Sequence, residues 1–304
     1  MSSAHLVASK LFSVKGLCCV VTGGGSGIGL MATQALAANG AAKIYIIGRR
    51  KEYLATVVEK YGKGIEGEII AMPGDVTKKE DVVRIAKEIG DREGGIHLLV
   101  NNSGISGEVT KLDKLETAQD FSDAHLKEQT YEGWDDVFRT NATSGFMVSM
   151  AFLPLLEKFT KGGDPKGKAI YSDYRTGIIN ITSISGLVKK AQNHFAYNAS
   201  KAAANHLQRM LATEVGAKFG IRINSIAPGV FPSEMTGSGS DENNKTSLEN
   251  QFDPKSLGVP ADRAGSEEDM AGTILYLASR AGQYTDGVII PVDGGTLSTN
   301  PSSY

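Results

Sequence analysis

Along most of the chain, short apolar runs alternate with stretches whose apolar residues recur every three or four positions. An apolar run of four to eight residues has the length of a strand buried on both faces, and a recurrence near 3.6 has the geometry of a helix packed on one side. The pattern predicts strands at 17–22, 43–47, 68–72, 96–101, 177–182, 221–226 and 287–292. Between them it predicts helices near 28–39, 50–61, 78–89, 131–160, 196–218 and 266–279. Thr77 with Glu80, and Ser266 with Asp269, have the spacing of capping pairs and mark two helix starts. Repeated βα units require a parallel sheet, so the expected fold is α/β: a doubly wound, Rossmann-type, seven-stranded parallel sheet with helices on both faces. Two stretches break the rhythm, 106–130, which is charged and polar, and 233–260, which is rich in Gly, Ser, Asn and Pro. Because βα units continue on both sides, these are insertions within one domain spanning 1–304.

Composition removes several function classes. The 304 residues carry a net charge of −2, and basic doublets such as Lys78-Lys79 and Lys189-Lys190 are isolated, with no aromatic-interleaved basic stripe. A nucleic-acid partner is therefore not expected. Cys18 and Cys19 are adjacent inside an apolar run, where neighbouring thiols pair awkwardly and burial makes them inert. The amino terminus, MSSAHLVASKLFSVKG, has neither a continuous apolar core nor an Arg-rich amphipathic pattern, and no segment offers about 18 uninterrupted apolar residues. The expectation is a cytoplasmic protein without a membrane partner, in which the sequons at Asn141, Asn180 and Asn198 are chance matches.

The first chemical motif is VVTGGGSGIGL, where Thr22-Gly23 ends a predicted strand and Gly27-Ile28-Gly29 opens a predicted helix. A glycine turn between strand and helix lets backbone approach a pyrophosphate and aims helix N–H groups at it. The ribose end is legible one strand later. An NAD site places a carboxylate about 20 residues on, yet position 48 is glycine and is followed by Arg49 and Arg50. Guanidinium groups with no competing carboxylate suit a 2′-phosphate, which favours NADP(H). Glu52 lies too far into the next helix to serve as the ribose acceptor.

The second motif is NHFAYNASKAAANHL, which sets Tyr197 and Lys201 four residues apart and so on one helical face. A lysine reaching under a phenol favours the phenolate and lowers a pKa that is ordinarily about 10. Ser183 ends the preceding strand 14 residues earlier, at the carboxyl edge where doubly wound sheets present ligand-binding groups; Ser185 is the competing hydroxyl.

Taken together, these segments resemble the short-chain dehydrogenases/reductases, in the branch with subunits of about 250 residues. The resemblance covers about 12–295 and rests on TGGGSGIG, GDV at 74–76, NNSG at 101–104, Asn141, Ser183, YNASK at 197–201 and APG at 227–229. It implies that Thr22, Gly23, Gly25, Ser26, Gly27, Ile28 and Gly29 form the cofactor turn, and that Asp75 and Val76 meet the adenine. Asn101, Ser103 and Gly104 would follow the fourth strand beside the ribose and phosphates, and Pro228, Gly229, Val230 and Ser233 would border the nicotinamide. Tyr197 would be the general acid, Ser183 would bind the substrate oxygen, Lys201 would hold the nicotinamide ribose, and Asn141 would hold a water of the proton relay. The chain departs from the family in having Ser103 for the commoner Ala, Ser233 for a frequent Thr, and longer connections at 106–130 and 160–177, which read as surface decoration.

The resemblance implies hydride transfer from the nicotinamide to a carbonyl, with no metal; His5, His97, His125, His194 and His206 show no ligand spacing. The loop PGVFPSEMT is similar to that of 3-oxoacyl and rhamnolipid-pathway ketoreductases, which points to a β-keto or other bulky ketone. The leading expectation is an NADPH-dependent ketoreductase. The alternatives are an NAD(H)-dependent alcohol dehydrogenase and a cofactor-binding scaffold without catalysis. The family also implies a homo-oligomer, tetramer or dimer, assembled through the helices near 131–160 and 196–218.

Overall fold

The computed structural model describes residues 3–111, 116–162, 174–248, 253–255 and 257–303. The apolar runs form β1 (Cys18–Thr22), β2 (Lys43–Gly48), β3 (Glu68–Pro73), β4 (Leu98–Asn101), β5 (Gly177–Ile181), β6 (Arg222–Pro228) and β7 (Ile289–Val292). All are parallel neighbours in the order β3-β2-β1-β4-β5-β6-β7, the doubly wound sheet that the alternation predicts.

Continuous apolar strands are needed because both faces are covered. Cys19, Val21, Ile44 and Ile46 pack into one core with residues from the helices Gly27–Ala38, Lys51–Tyr61 and Glu267–Ala278. Their neighbours Cys18, Val20, Tyr45 and Ile47 point the other way, toward Lys79–Glu93, Ser144–Gly162 and Phe195–Leu211. Each fully buried Leu or Ile in these layers contributes about 2 kcal/mol. The same alternation puts the adjacent thiols of Cys18 and Cys19 on opposite faces, both buried and neither joined in a disulfide. Among the described residues no helix is long and apolar enough to cross a membrane.

Three local expectations need correction. The helices expected at 131–160 and 196–218 are each broken by a π turn, Arg139–Thr143 and Ala212–Gly216. One extra residue in a turn leaves the apolar period almost unchanged, so it is invisible in the pattern. The insertion at 106–130 holds a helix, Ala118–Glu128, whose start is a complete capping box between Thr117 and Asp120. Thr77 and Glu80 do not form a cap: the helix begins after Lys78, with no side-chain cap bond. Thr77 instead donates from both its N–H and its hydroxyl to Asp75, and Asp81 accepts the Asp75 N–H. Of the connection at 160–177, residues 163–173 lie outside the described residues.

Ser266 and Asp269 do form a reciprocal capping box. Ser266→Ala is expected to lower stability by about 1 kcal/mol in urea unfolding. Glu80→Ala, which removes no cap, is expected to change it by less than about 0.5 kcal/mol.

Candidate active site

The sheet order reverses between β1 and β4, and a doubly wound sheet opens a crevice beyond the strand ends at such a point. Thr22 ends β1 there. Its Oγ1 accepts the N–H groups of Asn102 at 2.9 Å and Ser103 at 3.2 Å, and Asn102 Nδ2 donates back to the carbonyls of Thr22 and Gly23. Gly29 fits because its hydrogen faces the Gly23 carbonyl; a Cβ there would lie 2.1 Å from that oxygen. The helix beginning at Gly27 can therefore press its N-terminus against the turn.

A cleft of about 480 Å³ follows this seam. Gly23, Gly25, Ser26, Gly27 and Ile28 line its middle. Arg49, Arg50, Asp75 and Val76 also line it, as do Ser103, Gly104, Tyr197, Lys201 and Ser233. Thr22 and Gly29 hold the turn from behind and do not line the cleft. Asn101 is buried on Asn180 and Ser149 instead, each 2.9 Å from its Nδ2, and the lining residue is Asn102. Pro228, Gly229 and Val230 are tied into the sheet edge: Gly229 N donates to the Val292 carbonyl, and the Val230 carbonyl accepts from Gly265. They too are absent from the cleft wall.

Ser183 follows β5 in extended conformation and caps a short 3₁₀ turn, Ile184–Gly186, by accepting the Ser185 N–H at 3.0 Å. A Cβ on Gly186 would stand 2.5 Å from the Lys201 backbone, so this turn lies directly against the helix carrying Tyr197. That contact brings the Ser183 hydroxyl to the Tyr197 phenol. Ser185 is excluded as the partner, because its hydroxyl donates to Gln192. Asn141 stands in the first π turn; its amide accepts from Ile105 N and donates to the Ile105 carbonyl and to Ser200 Oγ. It binds the loop after β4 to the Tyr197 helix.

The electrostatics differ from the expectation that Lys201 lowers the phenol pKa. Burial raises the Tyr197 pKa, and the hydrogen bond with Ser183 opposes it. Lys201 is itself buried, its Nζ donating to the Ile181 carbonyl at 3.2 Å and lying 5.7 Å from the Tyr197 ring centre. Burial pulls its ammonium down to about 8. At the arginine side, Arg50 lies 3.6 Å over the Tyr53 ring and makes a two-pronged ion pair with Glu234, at 2.7 and 2.9 Å. That guanidinium, with Ser240 and Tyr53 donating, holds the Glu234 carboxyl down at about 2. Glu234, Tyr53 and Asn102 escaped the sequence reading. Glu234 adjoins Ser233 in the quoted loop, but nothing in its spacing says which strand end it meets.

The insertion at 106–130 also departs from the surface-decoration reading. Thr110 is fully buried and donates from its N–H to the Asn193 carbonyl, just before the Tyr197 helix. Phe121, His125 and Phe195 form an aromatic cluster there, with ring centres 4.4 to 6.4 Å apart. His194 stands edge-on to Tyr197 at 5.3 Å and bonds Asn198. Two aromatic rings spaced four apart, Phe121 and His125, give this polar helix its docking face.

The geometry suits a dinucleotide. A helix N-terminus and backbone N–H groups face the middle of the cleft, and Gly104 clears its floor, where a Cβ would come within 3.1 Å of Asn141 Oδ1 and 3.5 Å of Lys201 Nζ. Among the described residues no group of His, Cys, Asp and Glu is placed to hold a metal. The family model described as enoyl-(acyl carrier protein) reductase matches residues 23–296. A short-chain dehydrogenase/reductase of Diaporthe leptostromiformis, PhomF, is 42% identical, with 98% of this chain and 97% of that protein covered. The chain belongs to the short-chain dehydrogenase/reductase family. It is an oxidoreductase of a family that binds a nicotinamide cofactor. The Pseudomonas aeruginosa 3-oxoacyl-acyl-carrier-protein reductase of rhamnolipid biosynthesis is 34% identical over 93% of this chain and 97% of its own. Two solved structures superpose with a TM-score of 0.74. One is the Pseudomonas aeruginosa RhlG/NADP active-site complex, at 31% identity, covering 94% of this chain and 98% of that one. The other is a 7α-hydroxysteroid dehydrogenase with NADH and 7-oxo glycochenodeoxycholic acid, at 26%, covering 95% and 97%.

Lys201 in this oxidoreductase gives up its proton more readily folded, near pH 8, than unfolded, near 10.5. Folding is therefore penalised below pH 8, and the penalty fades as pH rises from 8 to 10.5. Lys201→Met is expected to raise the thermal midpoint at pH 7, by a margin that shrinks toward pH 10. A margin independent of pH would contradict the burial penalty.

Proposed function

We propose that this short-chain reductase is an NADPH-dependent ketoreductase that converts a ketone to a secondary alcohol, with Tyr197 as general acid. The observation that carries this reading is the contact of Tyr197, which lines the cleft, with the buried Ser183 behind it, and with Lys201 buried on the same helix face. A nicotinamide dinucleotide, when bound, supplies the hydride. A phenol whose pKa burial has raised keeps its proton at neutral pH, which is the state a general acid needs. Ser183, its oxygen fixed by the Ser185 N–H, would turn its one hydroxyl hydrogen from the phenol to the carbonyl oxygen as charge develops there. Lys201, held on the Ile181 carbonyl under the same helix face, would bind the nicotinamide ribose, and Asn141 keeps the helix and the loop after β4 in place.

The preference for NADPH rests on Gly48, which supplies no ribose-binding carboxylate, and on Arg49 and Arg50 at the cleft wall. Adenine contacts fall to Asp75 and Val76, and Ser233 reaches the helix N-terminus, 3.1 Å from where a Gly27 Cβ would stand. The substrate class suggested by the 3-oxoacyl reductase relative is a β-keto or similarly bulky ketone, which would enter past His194 and Phe195. A second reading, NAD(H)-linked alcohol oxidation by the same residues, has one observation in its favour: the Glu234 carboxylate stands in the cleft beside Arg50.

Tyr197→Phe is expected to reduce kcat for β-keto ester reduction by about 10²- to 10⁴-fold while leaving the Kd for NADPH nearly unchanged. Retained turnover would remove Tyr197 from the chemistry. In single-turnover oxidation, NADPH is expected to outperform NADH, and Arg50→Ala to narrow that gap by raising the KM for NADPH; an initial preference for NADH favours the second reading.

A further inference from the structure

The Glu234 carboxylate is bound as an anionic ligand would be. Its Oε1 accepts from Arg50 Nη1 at 2.9 Å, from the Tyr53 hydroxyl at 3.0 Å and from Ser240 Oγ at 3.0 Å. Its Oε2 accepts from Arg50 Nη2 at 2.7 Å and from Ser26 Oγ at 3.5 Å. Apart from Ser240, which lies in the same segment as Glu234, the donors come from the glycine turn, the end of β2 and the helix after it, so the carboxylate joins elements that line the cleft. Arg50 Nη2 also donates to Ser26 Oγ at 3.1 Å, closing the ring of donors around the anion.

The segment that brings Glu234 there is fastened on the same side. Asn244, buried and at φ +60, donates from Nδ2 to the Gly25 and Tyr53 carbonyls at 3.0 and 2.9 Å. Asn243 takes hydrogen bonds from Lys60 and from the Tyr61 hydroxyl. With these anchors downstream, Glu234 can leave the ring of donors without the whole segment unfolding.

We propose that Glu234 is a specificity-determining residue for the dinucleotide: its carboxylate occupies the anion cradle of Ser26, Arg50 and Tyr53, and only a cofactor bearing a phosphate at that position displaces it. The inference rests on the reading that Arg50 receives the 2′-phosphate. A phosphate near its second ionisation carries more charge than a carboxylate and has three acceptor oxygens for the same donors, so it competes for the guanidinium where a bare ribose hydroxyl does not. The internal competitor thus sets the size of the preference, holding it below what the arginine alone would give, because only the phosphate-bearing ligand has to displace it.

The test is calorimetric titration of the full chain and of Glu234→Gln with 2′,5′-ADP and with 5′-AMP, two probes that differ only in the 2′-phosphate. Glu234→Gln keeps the side chain's length and removes its charge. It is expected to tighten 2′,5′-ADP by roughly fivefold, the size of a partly exposed ion pair, and to move 5′-AMP by less than about twofold. Glu234→Ala, which drops the side chain altogether, is expected to act in the same direction, so that a poorly accommodated Gln does not decide the matter. If the unsubstituted chain prefers 2′,5′-ADP but neither variant tightens it, the Glu234 proposal falls and the phosphate reading stands. Equal tightening of both probes overturns the specificity claim. If the unsubstituted chain and both variants bind the two probes equally well, the phosphate reading fails and takes this proposal with it.

Discussion

Thr22 and Asn102 fasten the ends of β1 and β4 to each other through four hydrogen bonds, at the place where the winding of the sheet changes direction. Strand ends at such a point diverge above the sheet, and their backbone N–H groups need partners. The threonine hydroxyl takes two of them, and the asparagine amide satisfies two carbonyls of the turn. With both ends pinned, Gly23 can turn sharply and Gly29 can lie against it, so the helix N-terminus faces the cleft. The catalytic side of the site is tied in from here: Asn141 binds Ile105, just beyond Asn102 and Ser103, and the Tyr197 helix is bound to Asn141 through Ser200.

A second constraint is the cost of burying ionisable groups. Lys201 stands almost fully inside the protein with a backbone carbonyl as its recorded hydrogen-bond partner, and Tyr197 is held with its proton in place. Burying the lysine costs stability at neutral pH, whereas the tyrosine, uncharged there, adds no such cost; the loss at Lys201 is recovered in the two apolar layers. The glycine at 186 lets the turn after Ser183 lie against this helix, since any side chain there would strike the Lys201 backbone.

Much of this was readable in the residues themselves. Strands buried on both faces leave long apolar runs, and each predicted strand has its counterpart in the sheet. The glycine turn and the Tyr197–Lys201 pair carry their spacing openly. What stayed hidden depends on contacts between distant segments. The π turn around Asn141 changes the helical count without disturbing the apolar stripe. The helix Ala118–Glu128 did carry a signal, Thr117 with Asp120, but its polar composition made it look like a loop. The Arg50–Glu234 contact joins residues 184 positions apart, and no local pattern announces such a pairing. The direction of the Tyr197 pKa was misjudged for a related reason: helical spacing reports that a lysine is near, but only packing reports how far both groups are removed from water.

The strand alternation that separates Cys18 from Cys19 gives the protein two chemical clocks one residue apart. One thiol is sealed beneath the helices at 27–38, 51–61 and 267–278, the other beneath those at 79–93, 144–162 and 195–211. A thiol reagent reaches each only when its own layer lifts from the sheet. The ratio of the two alkylation rates therefore records which helical layer parts first, with no residue substituted anywhere in the molecule.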